Sequence, residues 1–148
     1  MEESMELRNG CACILYHRGK GKVLLQLRTK EEGLFFPGFW SIFGGGLDEG
    51  ERPEACILRE LKEEIRFRPE HIMYWKETPY KEFIFHIFIG LIDLEKEEIA
   101  LREGEDMGYF SEEEIDKMDI AFDYKQYLLE FFEKREELLL ELSQKVVS

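Results

Sequence analysis

The segment from Gly45 to Phe67, GGLDEGERPEACILRELKEEIRF, constrains this chain more than any other. Pro53 suits the first turn of a helix, where a missing N–H costs nothing. Leu58, Leu61 and Ile65 recur at helical spacing, which predicts a helix over 53–65 with those residues on its buried side and Pro69 closing it off. Glu60, Glu63 and Glu64 then fall at i, i+3 and i+4, on one face. Like charges at those spacings repel by roughly a few tenths of a kcal/mol per pair. A glutamate-rich helix face is usually just solvated. Taken with Glu51, Arg59 and the glycines at 44–46, this one is better explained by a hard divalent cation such as Mg²⁺, which takes oxygen ligands. The residues point to a metal-dependent enzyme acting on phosphates.

Charge narrows the choice of partner. The chain carries 33 acidic and 20 basic residues, a net charge of −13. That field repels a nucleic-acid backbone and anionic lipid, which excludes a nucleic-acid polymer and a membrane as expected partners. A phosphate-bearing small molecule would have to be held by metal and a few local cations. With 148 residues and 44% hydrophobic content, the chain is expected to form a single domain with a real core. Cys11, Cys13 and Cys56 are odd in number and read as free thiols of a reducing, cytoplasmic compartment. The Cys11-x-Cys13 pair has no second ligand pair for zinc and reads as alternate residues on a buried strand face.

Along the chain, CACILYH at 11–17 and KVLLQLR at 22–28 form a predicted hairpin around RGKGK. EEGLFFPGFW at 31–40 reads as a loop, and WSIF at 40–43 as a short strand before the glycines. Strands are predicted over 71–78 and 82–93, with Pro79 and Tyr80 in their connection. His86 falls inside the second of these and reads as a strand residue rather than a ligand. GYF at 108–110 predicts another strand, and Ser111 with Glu114 a capping box that starts a short helix. Tyr127, Leu128, Phe131, Leu138, Leu142 and Val146 predict one long C-terminal helix over about 123–146. Its LLLEL segment is expected to project, which would suit a homodimer. Strands interrupted by one helix and closed by another give an α/β fold, a mixed central sheet with helices on both faces.

Residues 45–67 closely resemble the Nudix box: Gly45, then Glu51, then Arg59, Glu60, Leu61, Glu63 and Glu64 at matching spacings. PGFWSIFGGG resembles the strand and glycine turn that precede it, and the likeness extends over about residues 8–135 as a Nudix-like α/β/α sandwich. One position departs: the family has glycine where this chain has Arg66, so the exit turn of the helix is expected to shift. The resemblance implies hydrolysis of a nucleoside diphosphate linked to another moiety, by water attack on phosphorus. MutT-like nucleoside triphosphate pyrophosphohydrolysis, of normal or oxidised nucleotides, is favoured. ADP-ribose or nucleotide-sugar pyrophosphatase activity is the first alternative, and an inactive nucleotide-binding or regulatory module the second.

By the same resemblance, Glu60, Glu63 and Glu64 would hold Mg²⁺, with Mn²⁺ as a substitute. The Gly45 carbonyl would be a further ligand, Gly46 and Glu51 structural parts of the box, and Arg59 the residue that orients the glutamates. Glu103, with Glu105 as second choice, would supply an extra base or ligand, though Glu60 also suits the base, which stays open. Arg28, Phe35, Phe36, Phe39, Tyr80, Phe83 and Glu105 are the candidates for substrate contact, with core packing as the rival reading of the aromatic residues.

Overall fold

Residues 8–17 alternate in a way that only a central strand permits. Cys11, Cys13 and Leu15 are buried in one apolar layer, while Ala12, Ile14 and Tyr16 are buried in another. A strand covered on both faces has no solvent side. In the computed structural model, which describes residues 7–30, 35–100 and 106–145, this strand β1 (Arg8–His17) runs through the middle of a sheet. It pairs antiparallel with β2 (Lys22–Leu27) across the expected hairpin. It also pairs parallel with β6 (Phe83–Leu91), which makes the sheet mixed. β5 (Ile72–Tyr80) lies outside β6 as an edge.

The strand expected at 40–43 divides in two. β3 (Trp40–Ser41) pairs with β2, and β4 (Phe43–Gly46) crosses to β1, where Cys11 faces Gly45 and Ala12 faces Gly44. Only a glycine fits at 44, because a methyl group there would collide with the Cys11 carbonyl. β7 (Asp106–Phe110) completes the sheet against β2.

Helix α1 (Pro53–Ile65) covers the layer of Cys11, Cys13 and Leu15 with Cys56, Ile57, Leu61 and Ile65. Leu58, expected on that buried side, is only partly buried at its rim. The other face is covered by α3 (Tyr124–Glu133) and α4 (Arg135–Leu142), with α2 (Glu112–Asp116) beside α3 and its Ile115 buried in the same core. Ser111 and Glu114 form the expected capping box on α2. Helices therefore lie on both faces of a mixed sheet.

The structure corrects several expectations. The C-terminal helix over 123–146 is two helices, broken at Lys134, whose backbone sits at φ −100°, ψ 16°. The break lets Phe131 and Phe132 on one helix, and Leu138 and Leu142 on the next, all reach the same core. The LLLEL segment thus docks instead of projecting, and of its leucines only Leu140 is well exposed; Val146 lies outside the described residues. Pro79 and Tyr80 belong to β5 rather than to a connection, opposite Ile84 and Phe83. Proline is tolerated there because β5 is an edge. The exit from α1 keeps its turn: Arg66 itself adopts the left-handed φ of 51° that a glycine would supply, and Phe67 N–H donates to Leu61 O at 3.3 Å. Finally, Cys11 and Cys56 are joined as a disulfide between β1 and α1, at a sequence separation of 45. Cys13 alone is free, and buried. Among the described residues no helix is long and apolar enough to cross a membrane.

Candidate active site

Arg59 is the electrostatic centre of α1. Its Nε donates to Glu51 Oε2 at 2.8 Å and its Nη2 to Glu51 Oε1 at 2.9 Å, a bidentate pair. Its Nη1 reaches Glu60 Oε1 at 2.9 Å and Glu63 Oε2 at 3.2 Å, and Nη2 also donates to the Gly46 carbonyl at 3.1 Å. One cation thus ties three carboxylates and the glycine turn into a single frame. The guanidinium hydrogen bond, helped by the Asp48 N–H, draws the Glu51 carboxyl down to about 2. In return, Glu51 foremost, then Glu60, holds Arg59 more firmly in its charged form.

Gly45 supplies the floor. A β-carbon there would overlap the Glu60 carboxylate, so this side chain lies flat on bare backbone. Glu64, one turn further along α1, is 4% exposed. Its charge reaches Arg28, beyond the end of β2, and Tyr124, at the start of α3. Burial lowers the Arg28 pKa from its ordinary value, against the pull of Tyr124 and Glu64. Burial likewise raises that of Tyr124.

Glu51, Glu60 and Glu64 line a cleft of about 1280 Å³ together with Gly44, Gly45 and Gly46. Glu63 does not line it: its side chain is 50% exposed and turned to Arg59. The opposite wall is aromatic. Phe35, Phe83, Phe85, Phe122 and Tyr124 line it, with Arg28 beside them. Phe122 is the hub, its ring centroid 5.0 Å from Phe85, 5.9 Å from Phe83 and 5.2 Å from Tyr124. The Arg28 guanidinium stands 5.5 Å above it. Its backbone has φ 57°, rare for a bulky residue and costing about 1–3 kcal/mol. The neighbouring Ala121 N–H donates to Trp40 O at 2.8 Å, which anchors that conformation to β3.

Of the seven residues expected to touch substrate, Arg28, Phe35 and Phe83 line the cleft. Phe36, Phe39 and Tyr80 do not. Phe36 packs on Phe39 and, at 4.7 Å, on Phe122, and Tyr80 backs Phe85 and Phe122. In this structure these three rings pack behind the ones that line the cleft. Glu103 and Glu105 lie outside the described residues. Sequence reading missed Arg8, Asn9, Gln26, Phe85, Phe122 and Tyr124 in the cleft. The signal for Phe85 was available, since it alternates with Phe83 on one face of β6. Phe122 had none.

Hard divalent cations take carboxylate and carbonyl oxygens. Glu60 and Glu64 supply the former inside the cleft, on a floor that a β-carbon at 45 would fill, so the donor chemistry fits such an ion. No group of three His, Cys, Asp or Glu side chains among the described residues is already gathered around one point. Glu60 and Glu63 are instead held by Arg59.

The fold and this frame define a class. Residues 7–131 match the NUDIX domain, and the chain belongs to that family. It is 38% identical over 60 residues to the nucleoside triphosphatase NudI of Escherichia coli K12, covering 40% of each chain. It is 49% identical over 39 residues to the RNA pyrophosphohydrolase of Shewanella sediminis, 26% of this chain and 23% of that one. These alignments span well under half of the curated relatives' length. Among solved structures, MutT of Methanosarcina mazei Go1 superposes with a TM-score of 0.71 at 20% identity, over 91% of this chain and 99% of that one. The NUDIX domain of Shewanella oneidensis NrtR, complexed with ADP ribose, gives 0.72 at 22%, over 92% and 90%.

Proposed function

We propose that the protein hydrolyses a pyrophosphate bond in a nucleoside diphosphate linked to another moiety, with nucleoside triphosphates, normal or oxidised, as the favoured substrates. The observation that carries this reading is the two-sided cleft. Carboxylates of α1 stand over a glycine floor on one side, and a wall of aromatic rings with Arg28 stands on the other. Such a cleft offers a flat ring system a stacking surface and its phosphates a charged end. The likeness to the nucleoside triphosphatase NudI supports the same substrate class.

Glu60, Glu63 and Glu64, with the Gly45 carbonyl, are the residues proposed to hold Mg²⁺ or Mn²⁺. When bound, such an ion polarises phosphoryl oxygens and acidifies the attacking water. The protein's own part is positional. Arg59 fixes Glu51 and Glu60 against the glycine turn and lowers the cost of crowding like charges. Arg28, partly desolvated, offers a cation toward phosphate from the opposite wall. One of the cleft carboxylates, or Glu103 from the segment after η1 (the short helical turn Lys96–Glu98), takes the proton of the attacking water.

Hydrolysis of a nucleotide panel with Mg²⁺, by wild type and Glu64→Gln, tests the proposal. The expected result is turnover by wild type and a loss of about a hundredfold or more in the variant. Equal, near-zero turnover by both would support the non-catalytic module instead. The ADP-ribose bound to the NrtR domain favours ADP-ribose or a nucleotide sugar as the second reading, and the same panel ranks them.

A further inference from the structure

Asn9 lines the cleft but belongs to neither the glutamate frame nor the aromatic wall. Successive residues on a strand point to opposite sides. Arg8 lies on the aromatic side, its guanidinium 5.9 Å from the Phe83 ring. Asn9 falls on the side of Cys11, which the disulfide ties to α1, and its main-chain oxygen accepts from Leu47 N–H at 3.0 Å, next to the glycine turn.

Its side chain is held from across the sheet. On β6, His86 brings Nε2 to 3.2 Å from Asn9 Oδ1, and its Nδ1 lies 2.9 Å from the Tyr74 hydroxyl on β5. With the tyrosine donating to Nδ1, a neutral imidazole carries its proton on Nε2 and donates it to the asparagine oxygen. That fixes the amide orientation. The Asn9 oxygen is engaged, and its NH₂ meets no acceptor among the described residues. The contact turns the Asn9 NH₂, with its two donors, toward an incoming group. Asp48, Glu49, Glu51, Glu60 and Glu64 line the same cleft. A lysine at position 9 would be drawn into ion pairs with them, whereas a neutral amide can donate to an anionic oxygen without entering that network.

We infer that Asn9 is a substrate-binding residue whose side-chain amide donates to an oxygen of the substrate's phosphate chain, with His86 and Tyr74 as positioning residues. This rests on the pyrophosphohydrolase reading above and names a binding residue outside the glutamate helix.

The test compares wild type, Asn9→Ala, His86→Ala, His86→Gln and the double variant Asn9→Ala/His86→Ala. Two readouts are taken: kcat and KM for a nucleoside triphosphate with Mg²⁺, and calorimetric affinity for its non-hydrolysable α,β-methylene analogue. Loss of one hydrogen bond to a charged oxygen predicts about a tenfold weaker affinity for Asn9→Ala, with kcat within about twofold of wild type. His86→Ala is expected to cost about threefold, His86→Gln to restore most of it, and the double variant to bind no worse than Asn9→Ala alone. Wild-type affinity in Asn9→Ala, or a His86→Ala loss of the same size in both backgrounds, overturns the inference and leaves the hydrolase reading standing. A wild type that binds the analogue but cleaves nothing sinks the hydrolase reading while Asn9 is still tested. A wild type that does neither sinks both.

Discussion

The two walls of the cleft are built on opposite principles. The charged wall comes from one short stretch, residues 44–64, in which Glu60 and Glu64, and the Arg59 that braces Glu60, are set by the helical repeat alone. The aromatic wall is gathered from three separate places: Phe35 before β3, Phe83 and Phe85 on β6, and Phe122 and Tyr124 at the start of α3. Local chemistry therefore fixes the end that would meet phosphate, and tertiary assembly fixes the end that would meet the rest of the ligand. A change in the first should damage turnover whatever the ligand. A change in the second should damage recognition of some ligands and spare others.

The sharpest way to break this comparison is Gly45→Ala. The added methyl group has to displace the Glu60 carboxylate from its floor. Misplacing a reacting group by even about 1 Å can cost on the order of a hundredfold, and that is the expected fall in kcat for every substrate in a panel. Far-UV circular dichroism should remain that of the wild type, because the collision is with a side-chain end. Unchanged kcat would mean that Glu60 does not work from this position.

Phe122 gives the complementary case. Stacking of a base on an aromatic ring is worth about 1–3 kcal/mol. Phe122→Ala is expected to raise KM about tenfold for nucleotides while leaving KM for inorganic triphosphate unchanged. Phe122→Gly separates the ring from the backbone: glycine accepts the φ of 57° without strain, so it should lose the same affinity yet unfold at a higher temperature than Phe122→Ala. If inorganic triphosphate suffers equally, the aromatic wall is a packing element and not a reader.

What could be seen in the sequence follows the same division. The helix at 53–65 appeared at its observed ends because proline, apolar spacing and charge all report on the same few turns. The β1–β2 hairpin and the Ser111 cap were equally local. The break at Lys134 was hidden, since FFEKREE contains neither glycine nor proline and only the shared core selects the kink. Pro79 read as a connection because nothing in the sequence marked β5 as an edge. The Cys11–Cys56 bond required knowing that α1 lies across β1. Phe122, Phe85 and Asn9 reached the cleft only through the parallel pairing of β1 with β6 and the bridge from Trp40 to Ile120.

The smallest expected effect lies in the pH dependence of the charged wall, which the aromatic wall cannot share. The Arg59 hydrogen bond, with that of the Asp48 N–H, holds Glu51 down to about 2 from an ordinary 4.5. The unfolded chain therefore takes up this proton more readily than the folded one. The resulting stabilisation is fully present above about pH 4.5 and is lost as pH falls toward about 2. Urea unfolding of wild type and Glu51→Gln at pH 7, 4 and 3 isolates it from the other carboxylates, because the rest of the acidic surface is common to both proteins. The gap between the two should be widest at pH 7 and narrow steadily on acidification. A gap that stays constant would show that Glu51 serves Arg59 through shape and not through charge, and the charged wall would then owe its order to packing, like the wall it faces.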